Sequence, residues 1–174
     1  MRQKLLSLLV ALAVGGQLFA ADPSLEYQVK AACVLNAARF VSWPASAFPG
    51  ADAPLIIGIL GENPFGSTLQ EVVSGATVRH RLIAVRRVGL AEARDCHIVF
   101  VSRSERDNLD AILSALGDAN VLTISEIDRF VQSGGTIGLA LDQGKIRFEI
   151  NQEAASRARL KIDSQFLLLA RGGR

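Results

Sequence analysis

Leu55-Ile56-Ile57-Gly58-Ile59-Leu60-Gly61 decides the fold. The run is apolar without interruption until its closing glycine, and a strand of that pattern needs cover on both faces. A short helix follows from about Gly66 to Val73, and strands from Leu82 to Val88 and His97 to Val101 come next. Arg106 to Leu116 reads as a helix closed by Gly117, Asn120 to Ile124 as a strand, and Ser125 to Ser133 as a short helix. Buried strands alternating with helices predict a mainly parallel sheet between helical layers, an α/β three-layer sandwich. The end of the chain breaks that rhythm. Thr136 to Leu141 and Lys145 to Ile150 flank Asp142-Gln143-Gly144, which is hairpin chemistry, so an antiparallel pair closes the sheet.

Within the hairpin, successive residues point to opposite faces. Ile146, Phe148 and Ile150 belong to the core face, while Arg147, Glu149 and Asn151 form a polar row near the sheet edge, the expected partner-binding residues. A final helix from about Gln152 to Ala170 carries Ala158, Ile162, Phe166 and Leu169 on one side. Ahead of the sheet, Ser24 to about Val41 is helical, with Val29, Cys33, Asn36, Ala37 and Phe40 on one stripe. Asn36 lies inside that stripe, where a buried amide must find partners, so it is read as a structural bridge. Trp43-Pro44 ends the helix and is expected to anchor it to the sheet, because the residue before a proline leaves the α region.

The chain has 174 residues, within the roughly 100 to 200 of one domain. Met1-Arg2-Gln3-Lys4, the apolar run Leu5 to Gly16 and Leu18-Phe19-Ala20 have the order of a secretory signal peptide over residues 1–20. Residues 21–174 then form a single exported domain. Apolar residues at 49% and charged residues at 21% exclude a disordered chain. Removing Arg2 and Lys4 lowers the 19 Lys and Arg to 17, equal to the 17 Asp and Glu, so no basic footprint for nucleic acid remains. Cys33 and Cys96 would meet an oxidising compartment, and whether they pair is open.

The residues offer little catalysis. Gly58, Gly61 and Gly66 lie at a strand-to-helix turn, but their spacing is not the dinucleotide fingerprint and no Lys-Ser/Thr follows. Cys96 and His97 are adjacent on a strand, so the imidazole faces away from the thiol it would have to deprotonate. No Gly-x-Ser-x-Gly elbow or paired carboxylate spacing is present. No enzyme and no cofactor are expected. A crevice at the carboxyl ends of the strands makes a small-ligand binding protein the alternative reading.

The first helix, Glu26-Tyr27-Gln28-Val29-Lys30-Ala31-Ala32-Cys33-Val34-Leu35-Asn36-Ala37-Ala38-Arg39-Phe40-Val41-Ser42-Trp43-Pro44, resembles that of the YfiR family of small periplasmic proteins. The likeness continues through Ile57 to Gly61, Pro64-Phe65-Gly66, Cys96 to Ser102, Val121 to Ser125, Gly134-Gly135, and Ile146 to Asn151. It implies a periplasmic, non-enzymatic regulator that restrains a membrane-anchored diguanylate cyclase or related sensor kinase, lowering cyclic di-GMP and biofilm formation. An outer-membrane lipoprotein that sequesters the inhibitor is a further implied partner, and a homodimer is left open. The chain departs from the family pattern at Cys33 and Ala37, where aromatic residues are common, at Arg159, where glycine is usual, and at Asp163, where serine is usual.

Overall fold

A computed structural model describes residues 23–171. The signal segment and the expected mature start near Ala21 lie outside the described residues. In chain order the elements are α1 (Pro23–Phe40), β1 (Val41–Ser42), β2 (Leu55–Leu60), α2 (Thr68–Val73), β3 (Thr77–Val78), β4 (Arg81–Val88) and α3 (Leu90–Ala93). There follow β5 (Ile98–Val101), α4 (Leu109–Leu116), β6 (Leu122–Ser125), β7 (Ile137–Asp142), β8 (Lys145–Ile150), α5 (Gln152–Arg157), β9 (Lys161–Ile162) and α6 (Ser164–Arg171).

Seven strands form one sheet in the order β3-β4-β2-β5-β6-β7-β8, parallel from β4 to β7 and antiparallel at both ends. The apolar runs split between two cores by alternation. Ile57, Ile59, Ile98 and Phe100 join Val34, Leu69 and Phe166 of α1, α2 and α6 in one core. Leu60, Val99 and Val101 join Ala93, Ile112 and Leu116 of α3 and α4 in the other. Both sheet faces are therefore covered, as continuous apolar strands require. Cys33 packs against the first core and Cys96 lies in the second, so the sheet separates two free thiols that do not pair.

Three expectations are corrected. The stripe drawn on α1 is rotated: Lys30, Ala31, Val34, Leu35, Ala37, Ala38 and Val41 are buried, whereas Asn36 and Val29 are exposed. Asn36 bridges nothing in the core. Alanines occupy several sides of α1, so the apolar stripe can be drawn in more than one place, and a buried ion pair decides between them. Residues 126–134 form successive turns rather than a helix, with Arg129 at φ 60°.

The expected final helix is two helices with β9 between them, and the break is at Arg159, whose φ is 58°. There Arg159 N–H donates to Ser156 O at 2.9 Å and Leu160 N–H donates to Ala155 O at 2.9 Å, a left-handed helix end that glycine occupies most easily. The chain released by the break pairs β9 with β1, and Asp163 N–H donates to Phe40 O at 2.9 Å, tying the end of α1 to the start of α6.

Candidate partner-binding surface

The hairpin turns at Gln143 and Gly144, with φ of 48° and 76°. Positive φ at both central residues suits the right-handed twist of the strands. Its core face is held by an aromatic column: Phe148 stacks on Phe166 with centroids 5.2 Å apart, and Phe166 stacks on Phe40 at 5.5 Å. Phe40 and Phe148, from opposite ends of the chain, thus meet through α6.

On the other face, Arg147 Nε donates to Asp142 Oδ2 at 2.6 Å, and exposed Glu149 accepts from Gln132 Nε2 at 3.1 Å. Asn151 leaves the row. Its Oδ1 accepts from Ala154 N–H at 2.9 Å as the N-cap of α5, and its Nδ2 donates to Val131 O at 3.2 Å. Its side chain supports the fold, and Arg147 and Glu149 alone stand as the polar row. Leu141, opposite Ile146 in the register, is exposed on the Phe148 face of the hairpin, and Leu168 and Leu169 of α6 are 65% and 60% exposed.

A charge cluster that sequence reading did not single out lies close by. Lys30, 1% exposed, donates to both Glu26 and Glu126, and its Nζ stands 4.7 Å from the Tyr27 ring centroid. Tyr27 Oη donates to Glu126 Oε1 at 2.9 Å, and Arg103 Nη2 approaches Glu126 Oε2 at 3.5 Å. Burial, then the hydrogen bond to Glu126 and that carboxylate's charge, push the Tyr27 hydroxyl up to about 12. Arg103, Glu126 and Glu149 border one hollow of about 350 Å³, so the cluster that pins α1 to the end of β6 adjoins the exposed row. The sequence signal was available only as a lone lysine among alanines.

At the opposite end of the sheet, His97 is 3% exposed. Its Nδ1 accepts from Ile56 N–H at 3.0 Å and its Nε2 donates to Ala47 O at 3.1 Å. Phe48 stacks on the imidazole at 4.2 Å, and Trp43 meets it edge-on at 6.2 Å while donating from Nε1 to His97 O at 3.1 Å. Pro44, at φ −62°, opens the turn that brings Ala47 and Phe48 over the ring. Both imidazole nitrogens are engaged with backbone, so His97 is not a base for Cys96, whose Sγ donates to Glu92 O at 3.6 Å. Burial pushes the Cys96 thiol up, against the opposing effect of Arg86.

Burial also holds His97 below its ordinary pKa of 6.5, with the Ala47 hydrogen bond opposing and the Arg81 charge adding to the effect. The unfolded chain then binds a proton that the folded chain resists. Stability from this group is complete above about pH 6.5 and falls as the pH drops toward the lower folded pKa, by up to about 1.4 kcal/mol per pH unit. Urea unfolding at neutral and mildly acidic pH should show this slope in the native protein and a shallower one in His97→Gln. Equal slopes would remove His97 as its source.

The crevice at the carboxyl ends of β2 and β5 is spanned by its own loops. Glu62 N–H donates to Ser104 Oγ at 2.9 Å, Ser102 Oγ donates to Glu62 O at 2.5 Å, and Arg87 Nη2 donates to Gly61 O at 3.2 Å. An open hollow of about 1040 Å³ lies beside these bonds, bordered by Glu62, Arg87, Ser104 and Asn108. Among the described residues no group of three or more His, Cys, Asp or Glu is placed to hold a metal ion, and no helix is long and apolar enough to cross a membrane.

No curated protein matches the chain. A solved structure, the crystal structure of a conserved domain protein from Vibrio cholerae O1 biovar El Tor strain N16961, is similar in fold, with a TM-score of 0.57 at 13% identity. The similarity covers 83% of this chain and 58% of the Vibrio chain, so this chain spans little more than half of that protein's length. The profile of the YfiR/HmsC-like family matches residues 27–171, which includes α1, the whole sheet and the hairpin. The chain belongs to the YfiR/HmsC-like family, whose members are periplasmic regulators in cyclic di-GMP signalling.

Proposed function

We propose that this protein restrains a membrane-anchored diguanylate cyclase by binding its periplasmic domain through the outer face of the β7–β8 hairpin. The observation that carries the reading is the row of Arg147 and exposed Glu149 on a hairpin whose other face is fixed by the Phe40–Phe166–Phe148 column. A rigid support that presents charged groups at the surface can act as a protein-binding face, in which the charges set specificity. An outer-membrane lipoprotein covering the same face would relieve the restraint by competition. No step in this mechanism requires catalysis by the chain.

Deleting the cellular protein should raise cyclic di-GMP and surface attachment. Glu149→Lys should reproduce the phenotype while leaving export, circular dichroism and Tm unchanged, because Glu149 is exposed and its reversal opens no cavity. Reversal of one charge at an interface weakens binding by roughly tenfold or more. A folded Glu149→Lys protein that restrains the cyclase normally would reject the assignment of this face.

A further inference from the structure

Between Pro44 and β2 the chain runs through residues 45–54, none of which is buried. The backbone bonds of this segment stay local: Ala47 N–H donates to Pro44 O at 2.9 Å, Phe48 N–H to Ala45 O at 3.2 Å and Ala53 N–H to Gly50 O at 3.3 Å. Among the described residues, the hydrogen bonds that tie it to the sheet come from two side chains. Arg81 of β4 donates from Nη1 to Gly50 O at 2.9 Å and to Ala53 O at 2.6 Å, and His97 donates from Nε2 to Ala47 O at 3.1 Å. Phe48 touches both, its ring centroid 4.2 Å from the imidazole and 3.9 Å from the Arg81 guanidinium carbon. Arginine keeps its charge throughout the physiological range, so of these two fastenings only His97 responds to a proton.

The response follows from the other ring nitrogen. Nδ1 accepts from Ile56 N–H at 3.0 Å, whereas an imidazolium carries hydrogens on both nitrogens. Its Nδ1–H would meet Ile56 N–H donor against donor, at a residue only 3% exposed. The bond becomes a repulsion. Arg81, the charge that faces the ring from β4, opposes the imidazolium as well. Arg86, Arg94 and Asp95 border the hollow beneath the segment, but none of them bonds the imidazole, and Arg94 is turned to Ala115 O.

We infer that residues 45–54 are an acid-released strap: protonated His97 swings away from Ile56 and lets go of Ala47 and Phe48. The hollow of about 660 Å³ that Ala47, Pro49 and Ala53 share with Ile56, Cys96 and His97 then opens to solvent. Arg81 still holds Gly50 and Ala53, so the strap hinges between Pro44 and Gly50 and the fold stays intact. Opening uncovers no core residue of the strap itself, which places it among the low-energy local motions. The strap lies at the opposite end of the sheet from the hairpin, and the inference does not rest on the cyclase reading.

Elastase cuts after small residues, and its cleavage of the mature chain after Ala45 or Ala47 should follow the open population. Corrected at each pH against a short peptide substrate, the rate should rise roughly tenfold or more from about pH 7.5 to about pH 5, because one proton taken up on opening changes that population by up to tenfold per pH unit. Circular dichroism should stay constant over the same range. His97→Gln should abolish the rise, and His80→Gln, at the chain's other and exposed imidazole, should keep it. If His97→Gln does not fold, nuclear magnetic resonance of the native chain decides, since the His97 imidazole should titrate over the pH range in which cleavage rises. A flat corrected rate overturns the inference. So does a rise that folded His97→Gln retains, a His97 titration outside the range of the rise, or cleavage spread through the sheet with loss of the dichroism signal.

Discussion

Replacing Lys30 with methionine should lower the unfolding free energy by about 3 to 5 kcal/mol, the cost of removing one partner from a buried ion pair. Lys30 and Glu126 are 1% and 4% exposed. Without the ammonium, Glu126 keeps only the Tyr27 hydroxyl and the longer contact to Arg103, too little to replace its hydration. Glu26 lies nearer the surface and can turn to water, so most of the loss falls on Glu126. The control is the double variant Lys30→Met/Glu126→Leu, which buries no charge and should recover most of the loss. Urea unfolding of the three proteins measures both effects. A Lys30→Met protein within about 1 kcal/mol of native would show that the pair contributes no more than a surface bridge.

Trp43→Ala should cost about 3 kcal/mol, at the lower end of the range for truncating a large aromatic because the indole is half-buried. The loss is mainly packing. His97 O, which accepts from the indole, also accepts from Leu122 N–H at 2.8 Å and so stays satisfied when the ring is removed. Trp43→Phe should therefore cost far less than Trp43→Ala, since it keeps the ring against His97 and gives up one hydrogen bond worth about 1 kcal/mol. Thermal unfolding checks the order of the three proteins. An unchanged Tm in Trp43→Ala together with lost restraint of the cyclase would instead make Trp43 a contact residue.

The elements with a strong period were legible in the sequence. The apolar runs Leu55–Leu60 and Ile98–Val101 became buried strands, because such segments need cover on both sides. The alternation from Lys145 to Ile150 placed Phe148 inward and Arg147 and Glu149 outward, since pleating leaves no third direction. Elements that depend on partners far along the chain were not legible. Arg159 gives no local sign that it will adopt a left-handed conformation; the pairing of β9 with β1 is what the break achieves. Asn151 continues the alternation of the polar row in sequence, but α5 starts at the next residue and Asn151 caps the amide of Ala154 three residues on.

By itself, then, the sequence determined the α/β architecture, the closing hairpin and the family, all carried by local hydrophobic period, turn chemistry and ordered motifs. Tertiary structure alone decided which side of α1 faces the sheet. In a helix rich in alanine, burying one side or another differs little in apolar area, so the choice passes to the ion pair between Lys30 and Glu126, 96 residues apart. The free edge of β8 was decided in the same way. A strand's sequence carries its side-chain alternation, but whether its outward amides meet another strand depends on where the whole sheet ends.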